Sequence, residues 1–169
     1  MQIKTESHGS FPSPSDFMDG KARIAFFNSD REGTFLKGQE PHERLLVLGV
    51  DDLDVWAVPA WIRGLLVLPE GLSYRVKRYA LNQAIGRGEQ PSAPMAMGDA
   101  QRVLDFFNTL KTKGVSELVI SCEYGKSRSV TLARFLRRYL GEVGETTEKV
   151  PNAWIDYLMQ LAEKRNLLI

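Results

Sequence analysis

Cysteine is nearly absent from the sequence: Cys122 is the only one in 169 residues, so no intramolecular disulfide can form and no second thiol can protect the first. Histidine is almost as scarce, and neither His8 nor His42 stands at ligand spacing to Cys122, so no metal and no cofactor are expected. Excess charge of either sign is missing too. Lys plus Arg total 22 against 21 for Asp plus Glu, a formal net charge of +1, which offers no global attraction to double-stranded nucleic acid or an anionic membrane surface. Long apolar runs are also lacking. Stretches such as Gly64 to Leu68 fall far short of the ~20 residues needed to cross a bilayer. The first residues are polar and interrupted by Pro12 and Pro14, without the basic-then-apolar order of a secretory leader, so the expected location is cytoplasmic.

What the sequence does have is enough apolar material, 43%, for one globular domain. Residues 1–20 read as a flexible N-terminal segment and 21–169 as a single domain. Four short apolar runs bounded by charged, Gly or Pro residues predict buried strands: Ala22 to Phe27, Leu45 to Val50, Leu65 to Leu68 and Glu117 to Ser121. Apolar spacing predicts helices from Asp99 to Lys113, from Val130 to Gly141, and from Ala153 to Lys164 with Asn152 as its cap. A further basic helix is expected over Tyr74 to Ile85, followed by a Gly- and Pro-rich stretch to Gly98. The succession predicts an α/β fold, with a central, mostly parallel sheet of four to five strands flanked by helices on both faces. Ligands of such sheets bind beyond the carboxyl ends of the strands, where Cys122 would fall.

The segment Val119-Ile120-Ser121-Cys122-Glu123-Tyr124-Gly125-Lys126-Ser127-Arg128-Ser129 passes from an apolar strand through a polar loop into a helix. Such a loop turns backbone N–H groups toward one point at a helix N-terminus, making an anion cradle from Glu123, Tyr124, Gly125, Lys126, Ser127 and Arg128. Gly125 permits the backbone turn, and Arg128 can place two parallel hydrogen bonds on a phosphate. The same positive field should ionise Cys122 below the usual thiol range of about 8.5, yielding a nucleophile at neutral pH. Ser129 can donate to the sulfur and make it a better leaving group. The rival reading, a small inert core cysteine, is disfavoured by the typed residues that follow it.

Cys122, Gly125, Arg128 and Ser129 together resemble the Cys-x-x-Gly-x-x-Arg-Ser signature of the protein tyrosine phosphatase superfamily, and the chain from about Ala22 is similar to its compact tyrosine and dual-specificity members. The resemblance implies a phosphomonoester hydrolase working through a phosphocysteine intermediate, with Cys122 as nucleophile, Arg128 as phosphate clamp and Ser129 as thiolate partner. A phosphorylated protein, phosphotyrosine by preference, is the implied partner, with other phosphomonoesters open. The sequence departs from the signature at Ser121, where the family often has His. The family also uses an Asp on a separate loop as general acid. Glu70, expected just after the third strand, is the first candidate here and Asp99 the second. The alternative function is a phosphate-reading module with little turnover, motivated by Ser121 and by the lack of any Asp between Asp54 and Asp99.

Overall fold

The computed structural model describes residues 1–7, 20–28, 42–52, 60–69, 71–73, 75–77, 79, 94–142 and 150–167. Four strands, β1 (Gln2–Ser7), β2 (Lys21–Phe27), β3 (Leu45–Gly49) and β4 (Glu117–Cys122), form one sheet in the order β1-β4-β2-β3. Every pairing is parallel, with Ser7 opposite Cys122, Ala25 opposite Ser121 and Phe27 opposite Gly49. All four carboxyl ends therefore lie along one edge. The order makes β4 an interior strand, so Cys122 is delivered to that edge between the ends of β1 and β2.

Among the described residues, α1 (Ala60–Leu66) and α2 (Met97–Thr112) lie between β3 and β4 in the chain, and α3 (Arg128–Tyr139) and α4 (Ala153–Asn166) follow β4. Their apolar positions meet one face of the sheet. Ile24, Phe26, Leu48, Leu118 and Ile120 pack there with Leu104 and Phe107 of α2, Leu132 and Phe135 of α3, and Leu158 and Met159 of α4. Burying each such side chain contributes about 1.5–3 kcal/mol, which makes this face the principal core. Ala25, Phe27 and Val47, on the opposite face, form a separate buried cluster. Helix ends follow local chemistry. Gly114 and Gly141 adopt φ of 66° and 72° just past α2 and α3, and the Asn152 side chain accepts from Ile155 N at 3.0 Å to cap α4.

Two expected elements are corrected. The run Leu65 to Leu68 is not a strand, because α1 extends through Leu66 and turns Leu66 into the core while Leu65 stays at the surface. A short apolar run has no periodicity to separate the two states. The N-terminal segment is not flexible throughout, because Gln2–Ser7 is edge strand β1. Only Ile3 of that strand is buried, so its place is set by backbone pairing to β4 rather than by an apolar pattern. Residues 71–73, 75–77 and 79 are helical, whereas Tyr74, Arg78 and 80–85 of the helix expected over Tyr74 to Ile85 lie outside the described residues. Lys77 is buried, whereas Tyr157 on α4 is 51% exposed.

Candidate active site

β4 ends at Cys122, residues 123–127 form the loop, and α3 begins at Arg128. Gly125 takes a φ of 64°, and its N–H donates to Cys122 O at 3.1 Å, closing a tight turn. A Cβ at Gly125 would lie 2.7 Å from Ser7 N and 2.9 Å from Glu6 C, so the end of β1 forms a wall against the loop. Only glycine fits both the turn and the wall. The α3 N-cap, Ser127, makes no side-chain capping bond, so its hydroxyl does not occupy the first-turn N–H groups.

Cys122 is buried, and its Sγ lies 3.1 Å from Ser129 Oγ. Burial works to raise its pKa, but the Ser129 hydroxyl, the backbone N–H groups of Ser129 and Ser127, and the Arg128 charge together outweigh it and hold the thiol below its ordinary value. Arg128 is buried at 2% exposure. Its Nη1 donates to Val50 O and, at 3.2 Å, to Asn28 Oδ1, whereas its Nε has no hydrogen-bond partner among the described residues. A buried guanidinium N–H without an acceptor is costly unless an oxyanion completes it. Glu123, Tyr124, Lys126 and Ser127 form the rest of the loop. Tyr124 and Lys126 are exposed on its rim, while Glu123 Oε2 accepts from Asn28 Nδ2 at 3.4 Å.

The parallel topology brings to this loop residues whose role the sequence reading did not anticipate. Asp52, three residues past β3, accepts from Ser127 Oγ at 2.7 Å and from Asn152 Nδ2 at 2.8 Å. Asn152 N donates in turn to Thr131 Oγ1 of α3 at 3.0 Å, so Asp52 ties the loop to the cap of α4. The signal was available: Asp51-Asp52 directly follows a buried strand of a parallel sheet.

Of the two acids singled out from sequence, Glu70 lies outside the described residues, and it follows α1 rather than a strand. Asp99 is 2% exposed; its Oδ2 is 2.9 Å from Lys77 Nζ and accepts from Ala96 N at 2.9 Å. Lys77 Nζ also donates to Gly49 O at 2.6 Å. Asp99 thus joins α2, the helical stretch around Lys77 and the end of β3. Ser121 is fully buried on the other side of the strand, where its Oγ accepts from Arg23 Nη1 at 3.3 Å and Arg23 pairs with Glu6. Among the described residues no cluster of side chains suits a metal ion. No described helix is long and apolar enough to cross a membrane. A surface cleft of about 320 Å³ lies elsewhere, lined by Arg63, Gly64, Val67, Trp154 and Tyr157.

The chain matches no family model, and neither a curated protein nor a solved structure is similar enough to count as a match.

Proposed function

We propose that the chain is a cysteine-dependent phosphomonoester hydrolase of the tyrosine phosphatase type, acting on phosphorylated protein. The observation that carries this reading is the pairing of an acidified, buried Cys122 with a buried Arg128 whose Nε lacks an acceptor among the described residues, both at one strand-loop-helix junction. A thiolate nucleophile and an oriented, unneutralised guanidinium are what phosphoryl transfer requires at a single point.

In the first step Cys122 Sγ attacks phosphorus, an S–P bond forms, and the P–O bond to the leaving oxygen breaks. Arg128 and the N-terminal N–H groups of α3 hold the equatorial oxygens. Asp52, the carboxylate that reaches the loop from outside it, is the candidate proton donor to the departing oxygen. In the second step water attacks phosphorus, Asp52 takes its proton, and the S–P electrons return to a sulfur stabilised by Ser129. Asp99 is ill suited to the task because it is buried against Lys77 and occupied in capping α2.

Cys122 is 2% exposed whereas Tyr124 on the rim is 71% exposed, so the phosphoryl group must reach below the rim. That depth favours the long, rigid arm of phosphotyrosine. A lone functional thiol also favours a reducing compartment such as the cytoplasm. Asp52 beside the loop supports turnover over the phosphate-reading module, which Ser121 still motivates. The separating experiment is hydrolysis of an aryl phosphate by purified protein. Turnover abolished by Cys122→Ser supports the enzyme; tight phosphopeptide binding without turnover supports the module.

A further inference from the structure

We propose that Asn28 is a positioning residue that holds the two ends of the phosphate loop together and orients Arg128 for oxyanion binding. It rests on the phosphatase reading of the site. Asn28 directly follows β2, the strand beside β4, so the parallel sheet delivers it to the same edge as Cys122. Its amide spans the loop. Nδ2 donates to Glu123 Oε2 at 3.4 Å, one residue after the nucleophile, and Oδ1 accepts from Arg128 Nη1 at 3.2 Å, where the loop becomes helix.

The partners themselves fix the orientation of the amide. A guanidinium only donates and an ionised carboxylate only accepts, so the amide oxygen must face Arg128 and its nitrogen Glu123. An uncharged side chain offering a donor and an acceptor from one short stem is what this bridge needs. Neutrality matters as much as reach. The acceptors on Arg128 Nη1 are the Val50 carbonyl and the Asn28 amide, and among the described residues no carboxylate pairs with this guanidinium. Asn28 therefore helps hold Nη1 of Arg128 without neutralising it, while Nε has no acceptor among the described residues. It also keeps Glu123, a carboxylate inside an anion site, turned onto itself.

The test compares wild type, Asn28→Ala and Asn28→Asp by the concentration of inorganic phosphate that half-protects Cys122 from iodoacetate, with urea midpoints measured alongside. Bonds to charged groups of this kind predict a rise of about 10-fold in that concentration for Asn28→Ala. Asn28→Asp should rise further, because its carboxylate competes with phosphate for Arg128 and repels Glu123, although it fits the space better than Ala. A purely structural residue gives the reverse order, with the near-isosteric Asp closer to wild type. That reverse order, or both variants staying within about 2-fold of wild type, overturns the assignment. Unfolding of both variants also counts against it, since a bridge of two side-chain bonds should not carry the fold. If phosphate fails to protect even the wild type, it is the phosphatase reading that falls.

Discussion

Replacing Gly125 with alanine should damage fold and site together, and the structure sets the size of the effect. Two costs combine. A Cβ in a left-handed backbone costs about 1–2 kcal/mol, and Gly125 has a φ of 64°. The new Cβ would also stand 2.7 Å from Ser7 N and 2.9 Å from Glu6 C, both backbone atoms that no rotamer change can move away. Relieving that overlap means shifting the end of β1 or the loop, a repacking that typically costs about 1–3 kcal/mol. The expected loss of stability is thus about 2–5 kcal/mol, read from urea unfolding. Phosphate protection of Cys122 should weaken by at least about 10-fold, because the loop N–H groups no longer converge. Gly64→Ala is the control: nothing lies within 4 Å of the point its Cβ would occupy, and replacing a glycine inside a helix stabilises by about 0.5–1 kcal/mol. A Gly125→Ala protein within about 0.5 kcal/mol of wild type and equally protected would refute the wall formed by β1.

Arg128→Lys should lower kcat by at least about 100-fold although charge is kept, since an ammonium cannot make two parallel bonds to the equatorial oxygens; steady-state kinetics on an aryl phosphate check this. Ser129→Ala removes a hydroxyl that favours the thiolate, so the Cys122 pKa should rise. Thiolate is present above that pKa and lost as pH falls through it, so the iodoacetate rate profile should move to higher pH, with slower alkylation at any mildly acidic pH. Lys77→Met removes the ion-pair partner of the buried Asp99 carboxylate and should cost about 3–5 kcal/mol in urea unfolding, most of it recovered in Lys77→Met/Asp99→Asn. Asp52→Asn should slow hydrolysis of phosphotyrosine far more than that of activated aryl phosphates, which leave without a proton; equal effects on both substrates would remove Asp52 from the donor role.

The strand-loop-helix junction at Cys122 was legible because its parts are contiguous: Cys122, Gly125, Arg128 and Ser129 stand within eight residues. Helix ends were legible for the same reason, as Gly114, Gly141 and Asn152 act on their own backbone neighbours. β1 was not, because an edge strand pairs through backbone groups and needs few apolar side chains; it buries only Ile3. Leu65 to Leu68 misled because a run of four apolar residues fits a strand or a helix, and the choice is made by what α1 packs against. The residues that orient the loop were hidden by distance along the chain. Asp52 meets Ser127 across 75 positions and Asn28 meets Arg128 across 100, contacts that exist only once the strand order is known.

The most direct test of the central claim is covalent capture. Asp52→Asn protein is mixed with an activated aryl phosphate, quenched in acid after a few turnovers, digested and examined by mass spectrometry. One phosphoryl group on the peptide carrying Cys122, absent in Cys122→Ser, is the result expected, because the first step proceeds unaided while the second lacks its base. Hydrolysis that continues in Cys122→Ser, or turnover that leaves no phosphoryl group on Cys122 at any quench time, would contradict it.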